Sequence, residues 1–147
     1  MYVPAKVRIP ICIEQGSVFN FHIEINDPKR QSKNRYFVVL NKNPKTDSVL
    51  ILVTPTRQIA RRKEFIQRAG ISEQTLVSVS PKEYPVFTSE SVFNCNDVIE
   101  VNMVDLIRKV DSDGSMNYPK IPNSILTKLI IGINKSPRIS VTTKKLL

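Results

Sequence analysis

Two runs of β-forming residues separated by a turn constrain this chain more than any other feature. Residues 35–41 read Arg-Tyr-Phe-Val-Val-Leu-Asn, and residues 48–54 read Ser-Val-Leu-Ile-Leu-Val-Thr. Branched and aromatic side chains suit a pleated, buried surface. Between the runs lies Asn43-Pro-Lys-Thr-Asp. Its proline presets one dihedral, and its Asn and Asp can bond their own backbone, which is turn chemistry. The spacing predicts an antiparallel hairpin whose second strand ends at Pro55. Arg35 opens one strand and Thr56 follows the other, so both are expected at the same end of the hairpin.

The flanking segments extend this β-rich reading. Phe19, Phe21, Ile23 and Ile25 alternate with Asn20, His22 and Glu24, which predicts a strand over residues 17–25 with one buried face. Gly16 marks a turn or bulge before it, and residues 26–34, polar and containing Pro28, read as a loop. Residues 58–69 carry Ile59, Phe65 and Ile66 among many basic side chains, with Gly70 after them. Either a short basic helix or a long irregular loop fits that stretch. Residues 76–79 read as a strand, and Val92-Phe93 as another that residues 98–101 are expected to extend. Met103, Leu106, Ile107 and Val110 have helical spacing, with Asn102 as a cap. A break at residues 111–115 precedes a second helix from Pro122 through Ile125, Leu126, Leu129, Ile130 and Ile133, ending near Ser136-Pro137. The tail, residues 138–147, fits either a last strand or a frayed end.

The chain has 147 residues, no internal repeat and no long linker, which fits one domain. That length buries roughly two-thirds of the unfolded surface, so neither disulfides nor metal are required for a core. Strands come first and helices later. The expected class is mainly β with α: a small, curved, mostly antiparallel sheet or barrel with helices packed at one end.

The charge is uneven. The chain holds 22 Lys and Arg against 13 Asp and Glu, a net +9. Between Lys29 and Arg68 there are eleven basic residues and two acidic ones, Asp47 and Glu64, so the whole excess lies in that window. A solvated face is the plain reading of such a run. Its interleaving with strands favours a surface for a polyanion or an acidic protein partner. No apolar run approaches the ~20 residues a membrane span needs. The first residues lack the apolar core of a signal peptide. Cys12 and Cys95 have no CxxC spacing and sit among apolar neighbours. Reduced, mostly buried thiols in a cytoplasmic protein are expected. Neither a metal site nor a cofactor is expected.

Little else in the sequence points to catalysis. His22, the one histidine, is expected on the polar face of its strand as a surface residue, and it has no Ser, Asp or Cys partner nearby in sequence. Phosphate loops, HExxH and paired carboxylates are absent. Arg35 and Thr56 stand out. A guanidinium and a hydroxyl held on strand ends can bind phosphate, the first as a permanently charged planar fork, the second as a neutral donor. A carboxylate partner for Arg35 and a turn-capping role for Thr56 fit the pattern equally well.

Three stretches together resemble the MazF/PemK-like toxins. They are Gly16-Ser-Val-Phe, the loop Gln31-Ser-Lys-Asn running into Arg35-Tyr-Phe-Val-Val-Leu, and Val49-Leu-Ile-Leu-Val-Thr-Pro-Thr-Arg-Gln. Ser91-Val-Phe-Asn-Cys-Asn-Asp-Val-Ile with two helices after it is similar to the family's C-terminal half, so the resemblance spans residues 16–136. It implies an SH3-like barrel, metal-independent cleavage of single-stranded RNA by 2′-OH attack, a homodimer, and an acidic antitoxin protein as partner. By the same resemblance Arg35 and Thr56 are the catalytic residues. Lys29, Arg30, Lys33, Arg57, Gln58, Arg61, Arg62 and Lys63 then form the RNA track, with Tyr36 or Phe37 as a stacking surface. The sequence departs from the family at two places. Tyr36 stands where the family has Pro, and Ser17 where it has an acidic residue. A non-catalytic nucleic-acid-binding or antitoxin-like module on the same fold is the alternative.

Overall fold

A computed structural model describes residues 3–22 and 34–147. Ile23, Ile25, Lys29, Arg30 and Lys33 lie outside the described residues. The chain forms two antiparallel sheets and five helices among those residues. The first sheet has the order β1-β2-β3-β7, from Val18–His22, Asn34–Val39, Leu50–Val53 and Ile99–Val101. The second has the order β4-β6-β5, from Pro55–Thr56, Ser91–Asn94 and Leu76–Val79. β2 and β3 pair antiparallel through Val38↔Val53 and Val39↔Leu52, as the hairpin pattern requires. A closed barrel is not seen among the described residues.

The two sheets meet in one stretch of chain. β3 pairs in the first sheet and β4 in the second, with only Thr54 between them. Side-chain alternation carries through this step. Ile51 and Val53 face the same apolar core as Phe93, the partner of Pro55. This inner core also takes Val18, Val38 and Leu40 from the first sheet and Val77 and Val79 from the second. Helix α4 (Asn123–Lys135) seals it with Ile125, Leu126, Leu129 and Ile133. Gly132 allows α4 that close, because a Cβ there would stand 2.7 Å from the Gln74 carbonyl oxygen and 2.8 Å from Cys95 Sγ.

The outer face of the first sheet carries a separate core of Phe19, Phe21, Phe37, Val39, Leu50 and Leu52. Two helices cover it: α1 (Ala5–Cys12) through Ala5 and Ile9, and α3 (Met103–Asp113) through Leu106 and Val110. Asn102 caps α3, its side-chain oxygen accepting the Asp105 N–H at 2.8 Å. α2 (Ile59–Ala69) packs on β6 in the second sheet. It ends at Gly70 with φ +67°, the left-handed geometry that glycine adopts without strain. The helices therefore cover several faces rather than one end.

Three expectations are corrected, and one helix was not expected. Residues 98–101 do not extend the Val92-Phe93 strand. The chain turns after Asn94, and β7 pairs instead with β3 through Leu52↔Ile99. The tail is neither a strand nor frayed: it forms the short helix α5 (Val141–Lys144), and the Leu146 carbonyl accepts the Lys42 N–H at 2.9 Å. α1 was not anticipated, since Pro10 lies inside it and no side chain caps its start. Cys12 is exposed, while Cys95 is buried.

A buried amide sets the hairpin turn. Asn41 is fully buried. Its Nδ2 donates to Asp47 Oδ2 at 2.9 Å and to the Val49 carbonyl at 2.8 Å, and its Oδ1 accepts the Ile51 N–H at 2.6 Å. One side chain thereby fixes where the turn stops and β3 begins. Asn41→Ala leaves the Ile51 N–H and the Val49 carbonyl without these partners, and each buried orphan costs about 1–3 kcal/mol. Urea unfolding of this variant should show a loss of about 2–4 kcal/mol. A midpoint equal to that of the parent chain would show that the turn is set elsewhere.

Candidate functional site

The two candidate catalytic positions fall on strands of different sheets, Arg35 in β2 and Thr56 in β4, and these strands are in contact. The β2–β3 pairing ends at Val38↔Val53, and Thr56 pairs with Val92 of β6. Arg35 pairs across to Phe21 in β1. Phe21 and Phe37 belong to the outer core, so alternation puts Arg35 on the outer face with them. Thr54 and Thr56 lie on that same side of their strand, because Val53 and Pro55 face inward. Arg35 thus lies on the outer face of the first sheet, and Thr54 and Thr56 alternate away from the inner core where β3 passes into β4. Both Arg35 and Thr56 are half-buried.

The Thr56 hydroxyl oxygen accepts the Gln58 N–H at 3.2 Å, at the entry to α2. This is a turn-capping contact. It uses a lone pair and leaves the hydroxyl proton to donate. Tyr36 stands where proline would hold Arg35 extended. In this structure Arg35 already lies inside β2, so strand pairing with β1 supplies that restraint. Ser17 closes the turn after α1, its Oγ accepting the Glu14 N–H at 2.9 Å.

The basic helix, one of two options open from sequence, is formed. Arg57, Gln58, Arg61 and Lys63 are exposed at its start and outer side, and Arg62 is half-buried. Ile59, Arg62 and Ile66 recur at helical spacing on one side of α2, where Ile66 is buried. Arg68 pairs with Glu64 and so offers less free charge. One cation was missed from sequence. Arg138, far along the chain, sits 5.3 Å from the Phe65 ring centroid and adds a guanidinium to the α2 surface. No local pattern around Arg138 signals this, because the contact exists only once the tail folds back.

The aromatic candidates divide. Phe37 is fully buried and stacks on Phe21, with centroids 4.2 Å apart. It belongs to the core. Tyr36 faces the opposite side and is half-buried between Phe87 and Tyr118, at 5.3 and 5.2 Å. Burial pushes its phenol up from the ordinary value, and Tyr118 adds to the shift. His22 is half-buried on the face opposite Phe19 and Phe21, and hence opposite Arg35. Glu24 lies outside the described residues. A cleft of about 340 Å³ opens elsewhere, between the β6–β7 turn and the tail, with Asp97 and Glu100 beside Arg138. Its two carboxylates make it a poor phosphate site. Among the described residues no three His, Cys, Asp or Glu side chains are grouped to hold a metal ion. Nor is any helix there long and apolar enough to cross a membrane.

No family model and no curated protein matches the chain.

Two buried groups next to these elements set an alkaline limit. Burial pushes the Tyr84 phenol from 10.0 up to about 12. Its O–H donates to the Pro119 carbonyl at 2.6 Å. Burial likewise pushes the Cys95 thiol from 9.0 up to about 12. In the unfolded chain both lose their protons at the ordinary values, while the folded chain keeps them. Their contribution to stability is complete below about pH 9 and is lost as pH rises toward about 12. Urea midpoints measured across that window should fall steadily, and fall less in Tyr84→Phe. A flat profile would contradict the burial of these protons.

Proposed function

We propose that the chain is a metal-independent endoribonuclease of the MazF/PemK-like type, its two sheets forming an open SH3-like barrel. The observation that supports this reading is the contact between β2, which holds Arg35, and β4, which holds Thr56, with the cationic start of α2 directly after Thr56. The substrate is single-stranded RNA. The ribose 2′-OH attacks the adjacent phosphorus and gives up its proton, the bond to the 5′-oxygen breaks, and that oxygen takes up a proton. The products are a 2′,3′-cyclic phosphate and a 5′-OH.

The residues suit the charge that develops. Attack on phosphorus concentrates negative charge on the non-bridging oxygens, and fixed donors stabilise it in place. Arg35 supplies a planar fork of donors that stays charged, since an arginine pKa lies above ~12. The same property disqualifies it as a proton acceptor. Thr56 donates its hydroxyl proton. His22, on the opposite face, does not fill the role of base. Arg57, Gln58, Arg61, Arg62 and Lys63 hold the flanking phosphates, and the resemblance assigns Lys29, Arg30 and Lys33, which lie outside the described residues, to the same track. A homodimer and an acidic antitoxin segment that neutralises this basic surface complete the proposal. The second reading, binding without cleavage, draws on the Thr56 oxygen, which already serves the backbone at the entry to α2.

Removing one such donor costs on the order of 10²–10³ in rate. Arg35→Ala should reduce cleavage of a mixed-sequence RNA in EDTA by at least about a hundredfold while circular dichroism stays unchanged. The check is mapping of 5′-OH ends. Equal cleavage by the variant would remove Arg35 from the mechanism. Salt-dependent RNA binding by the parent chain, with no product after hours, would favour the second reading.

A further inference from the structure

Helix α2 carries a single aromatic ring among its cations. Phe65 is 38% exposed, while the next residue, Ile66, is the buried one. Residues three and four apart are neighbours on a helix surface, with Cβ atoms about 5–6 Å apart. Arg61 therefore stands one turn before Phe65 and Arg68 one turn after it, and both are exposed. A further cation arrives from the tail. The Arg138 guanidinium carbon lies 5.3 Å from the Phe65 ring centroid, and Arg138 is itself exposed. Among the described residues Arg138 makes no ion pair, so its charge is not spent on a carboxylate. A protein groove gripping this helix would need apolar anchors three, four and seven residues apart. The surface neighbours of Phe65 are Arg61, Arg62, Arg68 and Ala69, so the ring has no large apolar companion on its stripe.

We infer that Phe65 and Arg138 form a stacking platform for one base of a single-stranded nucleic acid, with Arg61 holding a neighbouring phosphate. The inference rests on the reading above for the kind of polymer and not for its cleavage. It adds a contact to the bases where the basic window supplies only contacts to phosphates. The chemistry fits. Every base has a π-face, so an exposed ring beside a cationic track binds single strands with little regard to sequence. A guanidinium is flat and weakly hydrated, and it stacks on bases as an aromatic ring does. An exposed cation–π pair is a weak clamp for a tail. An exposed ring flanked by guanidinium groups suits a ligand that is flat, apolar on its faces and anionic along its backbone.

The test separates stacking from both charge and cleavage. The chain has no tryptophan, so Phe65→Trp places a single indole on the platform. Its fluorescence should be quenched by an oligothymidylate, which lacks the 2′-OH and is not cut, and not by inorganic polyphosphate. Phe65→Leu keeps apolar bulk and loses the ring. By fluorescence anisotropy it should bind the oligonucleotide about tenfold more weakly, the worth of one stacked base. The slope of its affinity against salt should match the parent, because no phosphate contact is lost. Phe65→Tyr should bind as the parent does, and Arg61→Gln should lower both affinity and slope. Arg138→Gln should also weaken binding, and with Phe65→Trp it carries the comparison should Phe65→Leu fail to fold. Parent-like affinity in Phe65→Leu or Arg138→Gln would overturn the inference, and a lowered melting temperature alone would reduce the ring to a clamp for the tail. So would quenching by polyphosphate, or a parent chain that does not bind the oligonucleotide. Ring-dependent binding of an acidic peptide in place of the oligonucleotide would replace the nucleic acid by a protein partner. Ring-dependent oligonucleotide binding by a chain that cuts no RNA would uphold the platform while refuting the nuclease.

Discussion

The structure turns on one run of seven residues, from Leu50 to Thr56, that belongs to both sheets. Its inward side chains build the core shared by the sheets and α4, and its outward ones build the face under α1 and α3. Because side chains in a strand alternate strictly, a slip of one residue would exchange the two sets. It would drive Thr54 and Thr56 into the apolar interior and turn Val53 and Pro55 outward. The buried amide of Asn41 guards against that slip at the turn. Polar positions on the outer face are thus held by an apolar constraint acting through the same strand.

The electrostatic excess has a different origin. The inner core contains no ionised side chain, so the cations are carried by the helix and loops around it. Among the described residues, ion pairing consumes little of that charge along α2, where Arg68 alone meets a carboxylate. Helix α2 faces its sheet with Ile59 and Ile66 and turns Arg61 and Lys63 to solvent. The fold thereby places permanent positive charge next to the end of the hairpin without burying the cost of that charge in the core.

The hairpin, the alternation of β1, the Asn102 cap and α4 were legible because each rests on neighbours in sequence. A period of two or of 3.6, or a capping side chain three residues from its N–H, can be read along the chain. What was not legible rests on partners far away. β7 looked like a continuation of β6 because nothing in Ile99-Glu-Val names the strand it pairs with. The tail read as a last strand or a frayed end because its fixing contacts come from elsewhere: Lys144 Nζ donates to the Ser136 carbonyl at 2.8 Å, and Thr143 Oγ1 to Glu100 Oε1 at 3.3 Å. At the candidate site the strand ends singled out Arg35 and Thr56, which the fold places in β2 and β4.

The two cysteines give the molecule an internal contrast of a different kind. Cys12 is exposed on α1. Cys95 lies beneath α4, its S–H directed to the Leu129 carbonyl at 3.6 Å, with its thiolate form strongly disfavoured by burial. A thiol reagent therefore meets one reactive sulfur on the folded chain and two on a chain whose α4 has lifted away. The ratio of the two labelling rates reports how often the lid on the inner core opens, on an otherwise unaltered protein.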